Sequence, residues 1–164
     1  MIGSSGTPGR ASRLLTEGGS LFVYGMLQFP EVLMVLLGRV PKTEPAAVSG
    51  WRAAALAGRS YPGLVAAAGT ATGRVLPGLG RQEIQIIDDF ESGPYDLRPL
   101  TLADGRTAWV YVWTDPAAVQ PEYWSCEDFA ARTLAAFVVR CRDWRLSYEA
   151  AGRLVADLRR PQDA

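Results

Sequence analysis

The sequence predicts an α+β fold built around one mixed sheet or barrel. Three observations lead there. A compact apolar run, Leu21-Phe22-Val23-Tyr24, has strand character and is followed directly by a helical segment. Apolar pieces punctuated by Gly and Pro fill residues 46–79, and the alternating run 109–113 adds another strand. Helical patterns then close the chain, so strands and helices do not alternate as regular βαβ winding requires.

At 164 residues with 48% hydrophobic content, the chain is long enough for one domain with its own core. Residues 1–20, rich in Gly and Ser, are expected to form a mobile leader with a short helical turn at Ala11–Glu17. The first strand ends at Gly25. Pro30 suits a first helical position, Glu31–Leu37 follows as a helix, and Gly38 stops it. Three strands are expected at Ala46–Ala55, Gly63–Ala67 and Gly73–Leu79, then a helix at Arg81–Glu91 with Ile84, Ile87 and Phe90 in register.

Asp104-Gly105 between Tyr95–Ala103 and Arg106–Trp113 reads as a hairpin with a type I′ turn. Trp109, Tyr111 and Trp113 then share one face, and Val110 and Val112 the other. Ser125 caps a helix whose stripe is Ala130, Leu134, Phe137, Val138 and Cys141. Ser147 opens a last helix with Tyr148, Ala151, Leu154, Val155 and Leu158, ended near Pro161. The expected organisation is a leader at 1–20, a domain at 21–144, and a C-terminal helix at 145–164. That helix packs on the domain or at a dimer contact, so monomer and homodimer both fit.

Charge and composition exclude several function classes. Seventeen basic residues balance seventeen acidic ones, so no nucleic-acid footprint is expected. The chain lacks His, which removes Ser-His and Cys-His nucleophile pairs and imidazole metal sites. Cys126 and Cys141 are too few for a structural zinc and are read as reduced thiols of a cytoplasmic protein. A helix start can lower the pKa of Cys126, but without a general-base partner it is discounted as a nucleophile. No membrane span is expected, because Gln28, Pro30, Glu31, Gly38 and Arg39 interrupt the apolar stretch 21–40. Lys42 is the single lysine, and Arg-for-Lys usage with abundant Ala associates with a GC-rich bacterial genome.

Chemistry must therefore run on carboxylates, hydroxyls, Arg, Tyr or backbone amides. If the helix from Arg81 continues through Glu91, its carboxylate lies on the apolar stripe between Ile84 and Ile87, where burial raises its pKa toward proton-transfer duty. If the helix stops at Phe90, Glu91 is solvated beside Ser92-Gly93-Pro94. The turn Tyr24-Gly25-Met26-Leu27 can present consecutive N–H groups to an anion, or simply connect two elements. Tyr111 either lines a pocket or packs across the hairpin. Arg98 either holds a substrate carboxylate or pairs on the surface with Asp96 or Glu83.

Taken together, several motifs in order resemble the γ-glutamylcyclotransferase-like superfamily, in the branch of the plant avirulence-induced proteins and their bacterial relatives. They are Leu21-Phe22-Val23-Tyr24-Gly25-Met26-Leu27, Phe29-Pro30-Glu31-Val32-Leu33, Leu36-Leu37-Gly38-Arg39, Gly50-Trp51-Arg52 and Tyr61-Pro62-Gly63-Leu64. Asp88-Asp89-Phe90-Glu91, Tyr95, Arg98 and Val110-Tyr111-Val112-Trp113 complete the set. The resemblance covers about residues 21–140 and implies a small mixed β-barrel with flanking helices. It further implies Glu91 as catalytic acid/base, Tyr24, Gly25 and Met26 as the substrate-binding loop and Tyr111 as a pocket-lining residue; with Leu21, Phe22, Val23, Leu27 and Arg98 these form the expected substrate-binding set. Met26 stands where the family usually has Thr or Ser. A γ-glutamyl amide would be cyclised by its own α-amine to 5-oxoproline and a free amine, without metal or cofactor. The alternatives are a non-catalytic binding module on the same fold and another intramolecular aminolysis in a biosynthetic pathway.

Overall fold

The computed structural model describes residues 9–17 and 19–159. Helix α1 (Ser12–Glu17) precedes strand β1 (Leu21–Val23), helix α2 (Pro30–Leu37), and strands β2 (Glu44–Leu56) and β3 (Gly63–Leu76). Helix α3 (Arg81–Phe90), hairpin strands β4 (Tyr95–Thr101) and β5 (Thr107–Trp113), strand β6 (Val119–Tyr123), and helices α4 (Cys126–Arg132) and α5 (Leu134–Arg159) follow. The strands form one mixed sheet in the order β4-β5-β1-β3-β2-β6, curled into a half-barrel with flanking helices.

Alternation along β1 divides the core. Leu21 and Val23 join a cluster with Leu33 and Leu36 of α2, Ile84 and Ile87 of α3, and Phe137 of α5. Phe22 and Tyr24 join a second cluster with Val48, Leu64, Val75 and Val110. Pro30 opens α2, and Gly38 closes it with φ 75°, its N–H donating to the Met34 carbonyl.

Several expected elements take other forms. The region expected as three strands is two long ones, because β3 runs unbroken from Gly63 to Leu76. Gly50 and Gly69 adopt φ of 85° and 113° and absorb the irregularity between Ser49 and Trp51 as a bulge instead of ending the strands. In the β4–β5 turn only Gly105 has positive φ, while Leu102 N–H donates to Arg106 O and Gly105 N–H to Leu102 O. A type I′ turn needs positive φ at Asp104 as well, so this hairpin closes through a longer loop with one left-handed glycine. The helix expected from Ser125 breaks at Thr133, and Ser147 lies inside the 26-residue α5. Position 145 is thus no element boundary. Strand β6, paired with β2, was not expected at all.

The leader expected to be mobile is anchored from Arg10 onward. Ala11 and Leu14 are each 2% exposed and belong to the main core. Residues 1–8, Pro161, and the side chains of Leu154, Val155 and Leu158 lie outside the described residues.

Close approach fixes one glycine near the site. A Cβ on Gly63 would lie 2.7 Å from both Cβ and Cγ of Trp113, a gap that no real pair of carbons occupies. Gly63→Ala is expected to destabilise the fold by about 1–3 kcal/mol through overpacking, read as a lower urea midpoint with unchanged m.

Candidate active site

Strand β1 is only three residues long, and its end creates the site. Above Val23, β1 separates β3 from β5; below it, the two strands pair directly at Leu64 and Val112. At this fork the Tyr24 hydroxyl donates to the Tyr111 carbonyl at 2.6 Å and accepts from the Leu64 N–H at 3.1 Å. The phenol thus bridges the two strands where they converge below the end of β1. A cleft opens there, about 340 Å³ including its mouth, lined by Phe22–Leu27, Pro62, Glu91, Tyr95 and Tyr111.

Past Tyr24 the chain turns through Gly25 into one 3₁₀ turn, Met26–Gln28. A Cβ on Gly25 would lie 3.0 Å from Cγ of Pro62, so any larger residue here requires Pro62 to shift. Gln28 N–H bonds Gly25 O and Phe29 N–H bonds Met26 O. The N–H groups of Met26 and Leu27 precede the first bond of the turn and have no intrahelical partner. Both residues line the cleft.

Glu91 arrives from the opposite side. Helix α3 ends at Phe90, and Glu91 is its C-cap, with its N–H still bonded to Ile87 O at 2.9 Å. The helix therefore stops where the alternative placement required, yet Glu91 is partly buried and walls the cleft. Among the described residues its carboxylate makes no hydrogen bond. Burial, opposed by the Arg10 charge and reinforced by Asp88, pushes its pKa from 4.5 up to about 7. A carboxyl without a bonded partner and poised near neutrality can both take and return a proton.

The linkage consequence has a definite sign. With a folded pKa above the unfolded one, Glu91 binds its proton more tightly in the folded state. This contribution is full below pH 4.5 and is lost as pH rises through 7. Relative to Glu91→Gln, the wild type should lose stability on the order of 3 kcal/mol between pH 4 and pH 8, measured by paired urea titrations.

Arg10 organises the end of α3. Its Nε donates to Asp88 Oδ1 at 2.6 Å, Nη2 to Asp88 O at 2.7 Å and also to Glu91 O, and Nη1 to Tyr95 O at 3.1 Å. The guanidinium sits 4.9 Å from the Tyr111 ring centroid, and Tyr111 donates its hydroxyl to the same Asp88 Oδ1 at 2.7 Å. One cation thus caps free helix carbonyls, pairs with a carboxylate and stands beside Glu91. Tyr95 donates to Pro62 O at 2.8 Å. Burial raises the pKa of Tyr24, Tyr95 and Tyr111, so all three remain neutral donors committed to the scaffold.

Of the residues expected at the site, Phe22, Val23, Tyr24, Gly25, Met26, Leu27, Glu91 and Tyr111 come together. Leu21 does not; it faces the core and pairs with Trp109. Arg98 does not either. It stands opposite Val110, on the other face from Tyr111, and takes the surface pairing with Asp96 at 2.8 Å. Cys126 has a raised rather than lowered thiol pKa, from burial and the neighbouring Glu127. Arg10 was missed, although Ala11, Leu14 and Leu15 at helical spacing mark an anchored segment beside it.

Comparison with known proteins decides the family. The model of the family "Gamma-glutamyl cyclotransferase, AIG2-like" matches residues 21–131. The chain belongs to this family. It is 38% identical over 99 residues to AIG2-like protein C of Arabidopsis thaliana, covering 57% of this chain and 58% of that protein. AIG2-like protein D of Arabidopsis thaliana is 35% identical over 78 residues, 47% of this chain and 51% of that one. The chain thus spans little more than half the length of these curated relatives. A solution structure from Arabidopsis thaliana superposes with TM-score 0.57 at 26% identity, over 80% of this chain and 84% of that one. A structure described as gamma-glutamyl cyclotransferase has TM-score 0.51 at 13% identity, over 76% and 86%, and supports the fold alone. These curated relatives are plant proteins, so the expected bacterial source gains no support. No helix among the described residues is long and apolar enough to cross a membrane.

Proposed function

We propose that this family member releases 5-oxoproline and a free amine from a γ-glutamyl amide. One observation carries the reading: Glu91, without a hydrogen-bond partner among the described residues and with its pKa pushed up to about 7, lines one small cleft together with the 24–27 turn. Family membership supports a cyclotransferase-type fold around this geometry.

The substrate carries its own nucleophile. Glu91 takes one proton from the α-ammonium, and the freed amine attacks the γ-carbonyl, closing a five-membered ring. The tetrahedral oxyanion is held by the Met26 and Leu27 N–H donors. The ring nitrogen loses its second proton to solvent. As the carbonyl re-forms and the bond to the leaving nitrogen breaks, Glu91 returns its proton to that nitrogen, and the released amine takes another from solvent. No cofactor enters the balance. Met26 in place of Thr or Ser leaves the backbone donors intact. Holding two ends of one molecule in attack geometry supplies the main acceleration, up to about 7–11 kcal/mol for well-oriented cases.

The test is a mass-spectrometric screen of the wild-type protein against γ-glutamyl amino acids and amines. Accumulation of 5-oxoproline with equimolar amine is the expected result; a folded protein that binds members of the panel without converting any would mark a binding module.

A further inference from the structure

A groove leads away from the cleft, between the β2–β3 connection and α5. Met26, Glu91 and Tyr95 wall both the cleft and the inner groove, about 570 Å³ with its opening. Tyr61, Phe90, Phe137 and Trp144 continue the wall into an outer part of about 850 Å³, where Arg59 and Arg140 stand. Phe90 meets Phe137 and Trp144 edge-on, with centroids 6.2 and 5.1 Å apart, so the aromatic wall is braced.

The two arginines are held against this wall. Arg59 donates from Nε to the Tyr61 hydroxyl at 3.0 Å and lies 5.2 Å from the Trp113 ring; Arg140 lies 5.6 Å from the Phe137 ring. Neither forms an ion pair among the described residues, and Glu91 is the only carboxylate on the groove walls. Phe137, Arg140 and Trp144 also lie beyond residue 131, outside the stretch that the family model matches.

Given the proposed reaction, on which this step rests, the glutamyl part occupies the small cleft. The departing amine's substituent must then extend past Glu91 into the groove. We infer that the groove selects a γ-glutamyl amide whose leaving amine carries an aromatic ring and a carboxylate, as in an aromatic amino acid. The ring meets apolar and aromatic surface, and the carboxylate meets two guanidiniums that form no ion pair among the described residues. A polyamine would bring like charge to the same two groups and is selected against.

The test uses four amides of γ-glutamate, with phenylalanine, phenethylamine, alanine and putrescine. Calorimetric binding is measured on Glu91→Gln, and turnover on the wild type. The phenylalanine amide should bind at least about tenfold more tightly than the amides lacking the carboxylate or the ring, and putrescine's should bind weakest. Arg140→Glu, an exposed change, should collapse the carboxylate preference several-fold and favour the putrescine amide, with circular dichroism showing the fold retained. Equal affinities, preference for putrescine, or binding of none of the four would overturn the groove's assignment. The expected binding order without 5-oxoproline from the wild type would overturn the reaction and leave the groove's selectivity standing.

Discussion

Glu91→Gln should reduce 5-oxoproline release by about 10²–10⁴-fold while leaving the fold in place. The amide keeps the shape of the side chain but cannot accept a proton from the α-ammonium or return one to the leaving nitrogen. Because the Glu91 carboxylate bonds to nothing among the described residues, its replacement breaks no scaffold contact. Removing an ionisation that burial disfavours should even stabilise the protein above pH 7. Lost activity combined with gained stability distinguishes a chemical role from a structural one. Turnover assays and urea titrations on the same sample read both.

Arg10→Ala should act in two ways at once. The half-buried Asp88 would keep the Tyr111 hydroxyl but lose its cation, and the Asp88, Glu91 and Tyr95 carbonyls would lose their shared donor. Breaking a charge-assisted cluster of this exposure should cost about 2–3 kcal/mol and lower Tm by roughly 5–10 °C. The Arg10 charge also holds the Glu91 pKa down, so its loss should move the acid limb of kcat/KM upward from about 7. Arg10→Lys keeps the charge without the planar fork. It should bring the limb back toward 7 while recovering only part of the stability, a split that a purely structural role would not produce.

Strong local signals made much of the fold legible. Pro30 and Gly38 mark the limits of α2, and the alternation at 109–113 reveals the inner and outer faces of β5, because each depends on backbone chemistry within a few residues. The motifs around Tyr24 and Glu91 brought both walls of the cleft into view. Long-range geometry was less accessible. Whether Glu91 is solvated depends less on where α3 ends than on Arg10 and Tyr111, 81 and 20 residues away, which close around the helix terminus. The Gly-rich composition of residues 1–20 concealed an anchored segment, since Ala11 and Leu14 are too few to dominate the local average. Arg98 shows the limit of spacing arguments. Its position one residue from Leu97 sends it to the outer face, and only the register with Val110 reveals that.

The pH dependence of kcat/KM for 5-oxoproline release tests most directly the claim that Glu91 carries the proton. The account predicts a wild-type acid limb with unit slope and a midpoint near 7, well above the ordinary carboxylate range. A profile flat from pH 5 to pH 8, or a limb near 4.5, would contradict it.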